Sequence, residues 1–156
     1  MTYMRQTNLR MGKVQMDITF ELLQKEDISQ IEEIIKGFMS FNPDRIQLFL
    51  SENQNIALVA KLDKKIIGLI YGYSLTRMDG QMPQFFIYSV DIIPLFQDRG
   101  IGSRFVQYAV DWARENGFSE SFVLTDKGNP RVCRVYEKAG MKHTKKDLDR
   151  MYSIEY

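Results

Sequence analysis

The feature that most constrains the fold is a strand-like run that ends at a proline and is followed by a glycine turn and a helix-like run. Aromatic and β-branched residues in FFIYSVDII (85–93) favour a strand, and Pro94 stops it. Helical spacing of apolar residues follows from Ile101, at Phe105, Val106, Ala109, Trp112 and Ala113. ESFVLTD (120–126) then predicts another strand. This order predicts a parallel, right-handed crossover and therefore an α/β fold.

The first half of the chain predicts antiparallel strands. ITFELL, from Ile18, alternates as a strand does. NIALVAKL (55–62) and IIGLIYGYSL (66–75) are two β-rich runs separated by the polar turn DKK, which is typical of a hairpin. Together with residues 85–93 they predict three consecutive antiparallel strands, so the sheet is expected to be mixed.

Three further helices are predicted from their capping residues. Asp27 is suited to cap a helix whose apolar face carries Ile28, Ile31, Ile34 and Ile35. Pro43 suits the first turn of a second, short helix. Asn129 and Pro130 suit the N-cap and first position of a last helix, with an apolar face made of Val132, Val135, Tyr136 and Ala139.

The two ends of the chain carry weaker patterns. Residues 1–16 are polar and mildly basic and are interpreted as a loose N-terminal extension, with Met16 as an alternative start. Residues 17–156 are predicted to form a single domain, since a domain usually has about 100–200 residues. The tail, MKHTKKDLDRMYSIEY (141–156), predicts two short strands with a turn between them.

Composition excludes several classes of protein. Hydrophobic residues make up 44% and charged residues 26%, as in a folded domain. The net charge of +1 does not indicate a surface that binds nucleic acid. Cys133 is the only cysteine, which excludes an internal disulfide and a Cys-based zinc cluster. The only histidine, His143, is interpreted as a surface residue. Because no run of 18 apolar residues and no secretory signal is present, we expect no membrane contact and a cytoplasmic location.

The glycine turn FQDRGIGSRF (96–105) has the chemistry of an anion site. The first N–H groups of a helix lack intrahelical acceptors and lie at the positive end of its dipole. Glycine lets a ligand approach the backbone, and successive N–H groups in such a turn form an anion nest. Residues 97–103 supply these groups, and Arg99 or Arg104 adds positive charge. We therefore predict a bound diphosphate here; a glycine turn that only begins a helix is the structural alternative.

Two common phosphate motifs fit this turn less well. A P-loop ends in Gly-Lys-Ser/Thr, whereas Gly102 is followed by Ser103 and Arg104. A dinucleotide fingerprint needs a third glycine where Phe105 stands. Such a fingerprint also does not follow an antiparallel meander, which is what the sequence before this turn predicts. The turn therefore predicts a phosphate site of another kind.

Motifs in and around this turn resemble those of the GNAT superfamily of N-acetyltransferases. QDRGIG (97–102) matches its phosphate turn, Gln/Arg-x-x-Gly-x-Gly/Ala, without a gap. IIP (92–94) is similar to its hydrophobic-x-Pro step, and NPRVCRVYEKAGM (129–141) is similar to its second signature. The resemblance implies the family's acyl-CoA N-acyltransferase fold, with about six to seven strands and about four helices. It also implies acetyl-CoA as cosubstrate and no metal.

The resemblance assigns the acetyl-CoA contacts by motif position. In the family the fourth and fifth strands splay apart, and the pantetheine arm binds between them as an extra strand would. The main chain of Val90, Asp91 and Ile92 would contact the arm, and Asn129 would reach the same side. The diphosphate would bind the turn residues Gln97, Asp98, Arg99, Gly100, Ile101, Gly102 and Ser103.

The resemblance also implies the proton chemistry. Tyr136, counted among the acetyl-CoA contacts as well, matches the tyrosine that family members often use as general acid toward the leaving thiolate. Some members carry a glutamate five positions before the asparagine, where this chain has Leu124. Asp91 is the best substitute as base, because it lies in an otherwise apolar strand with Ser89 on the same face. The structural alternatives are an apolar-face tyrosine and a solvated strand aspartate.

The acceptor is predicted to be a primary amine, acetylated by direct transfer. We expect the walls of its site in residues 38–52, the loop RMDGQMP (77–83) and the C-terminal tail. These segments carry acidic residues suited to attract a cation, namely Asp44, Glu52, Asp79, Asp147 and Asp149. The chain is also similar to the small aminoglycoside 3-N-acetyltransferases, but Ser89 stands where those have an aspartate. A small amine, a polyamine or a peptide amine is left open, as is a homodimer.

Two other functions are consistent with the same residues. Leu124 in place of a glutamate is consistent with a non-catalytic acyl-CoA-binding or regulatory module. A structural α/β domain without a ligand is the third interpretation. Stabilisation by CoA in a thermal shift separates this third interpretation from the other two, because a ligand stabilises only a protein that binds it.

Overall fold

The computed structural model describes residues 5–11, 14–143 and 152–155, with side chains from Met16 onward. Within these residues one mixed sheet contains six strands in chain order: β1 (Arg5–Met11), β2 (Val14–Leu22), β3 (Asn55–Leu62), β4 (Lys65–Leu75), β5 (Gln84–Ile92) and β6 (Glu120–Val123). β1 to β5 pair antiparallel, and β6 pairs parallel to β5. The predicted mixed α/β fold is confirmed.

Four α-helices occur in the described part of the chain: α1 (Glu32–Ile35), α2 (Pro43–Ser51), α3 (Ile101–Glu115) and α4 (Pro130–Lys138). Two of them begin as their sequences predict. The Asn42 side chain accepts a hydrogen bond of 3.1 Å from the Arg45 amide at the start of α2. Asn129 accepts one of 3.3 Å from the Val132 amide at the start of α4. In each case a proline follows the cap, where its missing N–H costs no intrahelical hydrogen bond.

The helices cover the two faces of the sheet, and each face has its own apolar core. On one face, α3 and α4 pack on the sheet in a core that includes Phe20 and Phe85 of the strands and Phe105 of α3. The Phe20 and Phe105 rings stack with centroids 5.1 Å apart. On the other face, a 3₁₀ turn (Lys25–Ile31), α1 and α2 cover residues such as Val59 and Leu69. Full burial of one such side chain contributes about 1.5–3 kcal/mol.

The N-terminal segment is not the loose extension that its polar sequence predicts. Residues 5–11 form β1, which pairs with β2 from Arg5↔Phe20 to Met11↔Val14. The boundary drawn at residue 16 therefore falls inside β2. An edge strand is held mainly by main-chain hydrogen bonds to one neighbour and needs no continuous apolar pattern, which explains the error.

The C-terminal half departs from prediction at two places. β6 ends at Val123, earlier than the predicted run to residue 126. Residues 141–143 and 152–155 have no regular secondary structure, so no strand occurs in these parts of the tail. The rest of the two predicted tail strands lies outside the described residues.

Asp27 does not cap a helix; it fixes a 3₁₀ turn to the sheet. The segment around it is the turn Lys25–Ile31, whose N-cap position is occupied by Gln24. The Asp27 carboxylate accepts hydrogen bonds from Lys61 Nζ at 2.6 Å and from Gln30 Nε2 at 3.1 Å. Lys61 Nζ also pairs with the Glu21 carboxylate on β2, and the Lys61 side chain is only 14% exposed.

The Lys61 ammonium joins three elements: β2, β3 and the turn. Burial by itself lowers the pKa of Lys61, but the hydrogen bonds and charges of Asp27 and Glu21 outweigh it and raise that pKa above 10.5. A folded-state pKa above the unfolded value means that the group stabilises the fold fully below the unfolded pKa. This contribution is lost as the pH rises through the raised folded pKa.

Lys61→Met should lower the free energy of unfolding at neutral pH by about 1–3 kcal/mol, because it leaves two half-buried carboxylates without their cation. Arg114→Met is the matched control, since the Arg114 side chain is 70% exposed beside Asp111 and such a pair contributes little. Urea denaturation measures both variants. Equal stability of the two variants would contradict the role given to Lys61.

Candidate active site

The turn before α3 leaves the first amides of that helix uncovered by a capping side chain, because Gly100 stands at the N-cap position. Gly100 has φ 75° and Asp98 has φ 58°, both in the left-handed region. This region favours glycine and tolerates aspartate. A Cβ added at Gly100 would meet open space. The predicted glycine turn therefore exposes main-chain N–H groups at the positive end of a helix of 15 residues.

Side chains from both flanks hold this turn in place. The Gln97 amide donates to the Ile92 carbonyl at the end of β5, at 2.8 Å. Arg131 of α4 donates to Gln97 Oε1 and forms an ion pair with Asp98 Oδ2, each at 2.9 Å. The Arg99 guanidinium lies over the Phe96 ring, 5.7 Å from its centroid.

A cleft of about 610 Å³ lies between the turn, the end of β5 and α4. Nine of the predicted acetyl-CoA contacts line it: Val90, Ile92, Gln97, Asp98, Gly100, Gly102, Ser103, Asn129 and Tyr136. Asp91, Arg99 and Ile101 do not. Ile101 is buried in the core, so only its main chain is available to a ligand.

Three basic residues of the cleft were not predicted from the sequence. Arg131, Arg134 and Lys138 line it from α4. Their spacing of three and four residues places them on one face of that helix, next to its apolar face. This periodicity was the available signal, but surface cations at helical spacing are common.

The sheet opens beside this cleft. Pairing of β5 with β6 covers only Gln84↔Glu120 to Ile87↔Val123. β5 continues to Ile92 while still paired with β4, after a register shift at Tyr71/Gly72. Past Ile87, the edge of β5 that faces away from β4 therefore extends beyond the end of β6. The free edge of β5 lies where the resemblance implies a splay between the fourth and fifth strands of the family, which correspond here to β5 and β6.

Asp91 on β5 and Tyr136 on α4 stand on opposite sides of this opening. Asp91 stands opposite Leu69 and Ser89 opposite Tyr71, so both point to the α1/α2 face of the sheet. The Ser89 hydroxyl donates a hydrogen bond to the Asp91 carboxylate. Tyr136 reaches the opening from α4, on the side of the cleft.

Burial sets the acid–base properties of this pair. It raises the pKa of Asp91, against the opposing effect of the Ser89 hydrogen bond. Burial also raises the pKa of Tyr136, with smaller contributions from the negative charge of Asp91 and from Cys133. A carboxylate made more basic and a phenol kept protonated suit a base and an acid, respectively.

The remaining predicted residues that the structure describes do not line the cleft. His143 is exposed, as predicted. Asp44 and Glu52 are exposed too, and Asp79 pairs with Arg77 in its own loop. Asp147 and Asp149 lie outside the described residues. Leu124 lies just after β6 and is 73% exposed. As a leucine, it offers no carboxylate at that position.

Two classes of feature are not found in the part of the chain that the structure describes. Its helices include none long and apolar enough to cross a bilayer. Its acidic, histidine and cysteine side chains form no group of three or more that could hold a metal ion.

Comparison with known proteins gives one family. A family model described as Acetyltransferase (GNAT) family matches residues 21–141, which is more than half of the chain. Over 84 residues, or 54% of the chain, the sequence is 25% identical to a probable N-acetyltransferase camello of Xenopus laevis. That match spans 37% of the length of the Xenopus protein.

Solved structures share the fold. A crystal structure of the aminoglycoside acetyltransferase meta-AAC0020, from an uncultured soil metagenomic sample, superposes with a TM-score of 0.77 and 22% identity over 88% of this chain and 97% of that chain. Aminoglycoside N-acetyltransferase AAC(6')-Iy in complex with CoA superposes with a TM-score of 0.70 and 15% identity, over 92% and 100% of the two chains. At these identities the superpositions show the fold alone.

Ser89→Ala should raise the pKa of the Asp91 carboxyl further, because the lost hydrogen bond favoured its charged form. NMR titration of the Asp91 side-chain carbonyl carbon measures this pKa. Ser119→Ala is the control, since the Ser119 hydroxyl bonds to Met82 and Pro83 carbonyls instead. An unchanged or lowered pKa in Ser89→Ala would show that Ser89 does not stabilise the carboxylate.

Proposed function

The chain belongs to the Acetyltransferase (GNAT) family, and from that premise we propose that it transfers the acetyl group of acetyl-CoA directly to a primary amine. The observation that carries the proposal is the exposed turn at the start of α3, which opens into a cleft of about 610 Å³ beside the gap between β5 and β6. An anion site and an open strand edge next to each other match the two halves of CoA, a diphosphate and an amide-bearing arm.

The turn and α4 would bind the phosphates. The main-chain N–H groups of residues 97–103 would hold the diphosphate, and Arg131, Arg134 and Lys138 add three positive charges to the same cleft. Arg131 already contacts the turn through Gln97 and Asp98. The arm would run along the free edge of β5 at Val90 to Ile92. Its thioester would then reach the gap that has Tyr136 on one side and Asp91 on the other.

Two side chains would carry the proton chemistry. Asp91, on the α1/α2 face, takes a proton from the attacking amine as the new C–N bond forms. Tyr136 gives its phenolic proton to the sulfur as the C–S bond breaks, and the phenolate regains a proton from solvent. Since Asp91 must be ionised to act as base, activity falls as the pH drops through its raised pKa. Burial of Tyr136 keeps the phenol protonated at neutral pH.

One observation favours a second function, a CoA-binding module without catalysis. The exposed Leu124 stands where some family members carry a glutamate. The carboxylate of Asp91 at the opposite edge of the gap favours the enzyme, because it offers a base on the side from which an acceptor would enter. Turnover separates the two functions.

Tyr136→Phe should lower kcat about 10²–10⁴-fold, the usual contribution of a positioned acid, while affinity for acetyl-CoA stays nearly unchanged. Release of CoA thiol with a panel of primary amines measures turnover, and calorimetry measures binding. Tyr152→Phe is the control, because Tyr152 is 88% exposed. Equal kcat in Tyr136→Phe and wild type would remove Tyr136 as the acid. Binding of acetyl-CoA by wild type without thiol release for any amine would support the non-catalytic module.

A further inference from the structure

A second cavity lies on the opposite face of the sheet from the CoA cleft. It has a volume of about 250 Å³ and lies between α1, α2 and the strands β3 and β4. Apolar and aromatic side chains dominate its wall, among them Ile31, Ile35, Met39, Phe49 and Tyr71. No step of the proposed acetyl transfer uses this cavity.

The wall of the cavity continues to the proposed base. Leu69 and Tyr71 line it, and these residues stand opposite Asp91 and Ser89 in the β4–β5 ladder. Side chains directly opposite each other in such a ladder share a face and have Cβ atoms about 4.5–5.5 Å apart. Asp91 itself does not line the cavity, but a ligand that fills the cavity and extends past Leu69 would meet Asp91 on the same face of the sheet.

Aromatic rings cluster on this face of the sheet around Tyr71, which stands opposite Ser89. Phe49 packs edge-on against Tyr71 and Tyr73, with centroids 5.9 and 5.8 Å apart. Tyr88 packs against the same two tyrosines at 5.5 and 5.7 Å. Burial, the neighbouring tyrosines and then the charge of Asp91 raise the pKa of Tyr71 to about 12, so its ring stays neutral at physiological pH. Such rings attract both apolar groups and a single cation.

Charge decides which amines this wall accepts. Among its described lining residues the only charged side chain is Arg45, a cation, and no carboxylate lines the cavity. The acidic residues that the sequence offered for a cationic acceptor, such as Asp44, Glu52 and Asp79, are not in this wall. A second ammonium group would lose water here without gaining a counter-charge.

We propose that the acceptor is a monoamine with an apolar substituent, whose nitrogen reacts beside Asp91 while the substituent fills this cavity. This inference rests on the proposed acetyl transfer and narrows its substrate class. It disfavours polycations such as aminoglycosides and polyamines. A free alkyl- or arylalkylamine and a peptide with an apolar N-terminal residue present the same chemistry to the site.

A matched pair of amines tests the inference on the wild-type protein. Hexylamine and 1,6-diaminohexane share a six-carbon chain and differ by one terminal ammonium group. We expect kcat/KM for hexylamine to exceed that for the diamine by about tenfold or more, because the second ammonium would enter an apolar wall beside Arg45. Kanamycin and spermidine should react as poorly as the diamine. 2-Phenylethylamine and a peptide with an N-terminal phenylalanine distinguish a free amine from a peptide acceptor.

Two variants connect the selectivity to the cavity. Arg45→Glu, at an exposed position of the wall, replaces the cation with a carboxylate. It should therefore reduce the ratio of kcat/KM for hexylamine to kcat/KM for the diamine. Met39→Trp, which fills part of the cavity, should lower kcat/KM for hexylamine about tenfold. Leu48→Trp is the control for added bulk, because Leu48 lies on α2, is 53% exposed and does not line the cavity; its kcat/KM should match wild type.

The outcomes separate this inference from the proposed function. Thiol release that is equal or faster with the diamine, kanamycin or spermidine than with hexylamine would overturn the inference and leave acetyl transfer intact. An unchanged selectivity in Arg45→Glu together with an unchanged rate in Met39→Trp would overturn it as well. No thiol release with any amine, despite acetyl-CoA binding, would overturn both.

Discussion

The proposed function depends on the point at which parallel pairing between β5 and β6 stops. The two strands share four residue pairs, ending at Ile87↔Val123, and β5 then continues alone on that side to Ile92. If the pairing extended to Ile92, a closed sheet would separate the cleft at α3 and α4 from the cavity at α1 and α2. Because β6 stops early, Tyr136 on one face and Asp91 on the other approach a common space.

The two faces of the sheet differ in their chemistry. The cleft beside α3 has exposed main-chain donors and the cations Arg131, Arg134 and Lys138, which suits a ligand rich in phosphate. The cavity beside α2 is apolar and carries one cation, Arg45. A reaction at the gap between them would join a highly charged donor to a weakly charged acceptor. With the proposed function, this charge distribution would keep the two ligands apart until their reacting atoms meet.

Local signals allowed much of this to be predicted from sequence. Pro94, Gly100 and the capping asparagine Asn129 act within a few residues, so the glycine turn and the start of α4 follow from them. Features set by distant contacts were not predictable. The polar residues 5–11 join the sheet through β2. Asp27 bonds to Lys61, 34 residues away, instead of capping a helix. The apolar cavity exists only once α1 and α2 pack on β3 and β4.

Amide hydrogen exchange, measured by NMR with and without CoA, tests whether the main chain of the glycine turn binds the nucleotide. Bound CoA should slow exchange at the amides of Asp98 to Ser103 and at those amides of residues 88–92 that point away from β4. Gly100→Glu, which places a carboxylate in the turn, should abolish this protection. Gly100→Ala is the matched control, because it carries the same cost of a side chain on a left-handed backbone without the charge, and it should retain the protection. No protection at the turn, or protection that survives in Gly100→Glu, would contradict the claim that its main chain binds the nucleotide.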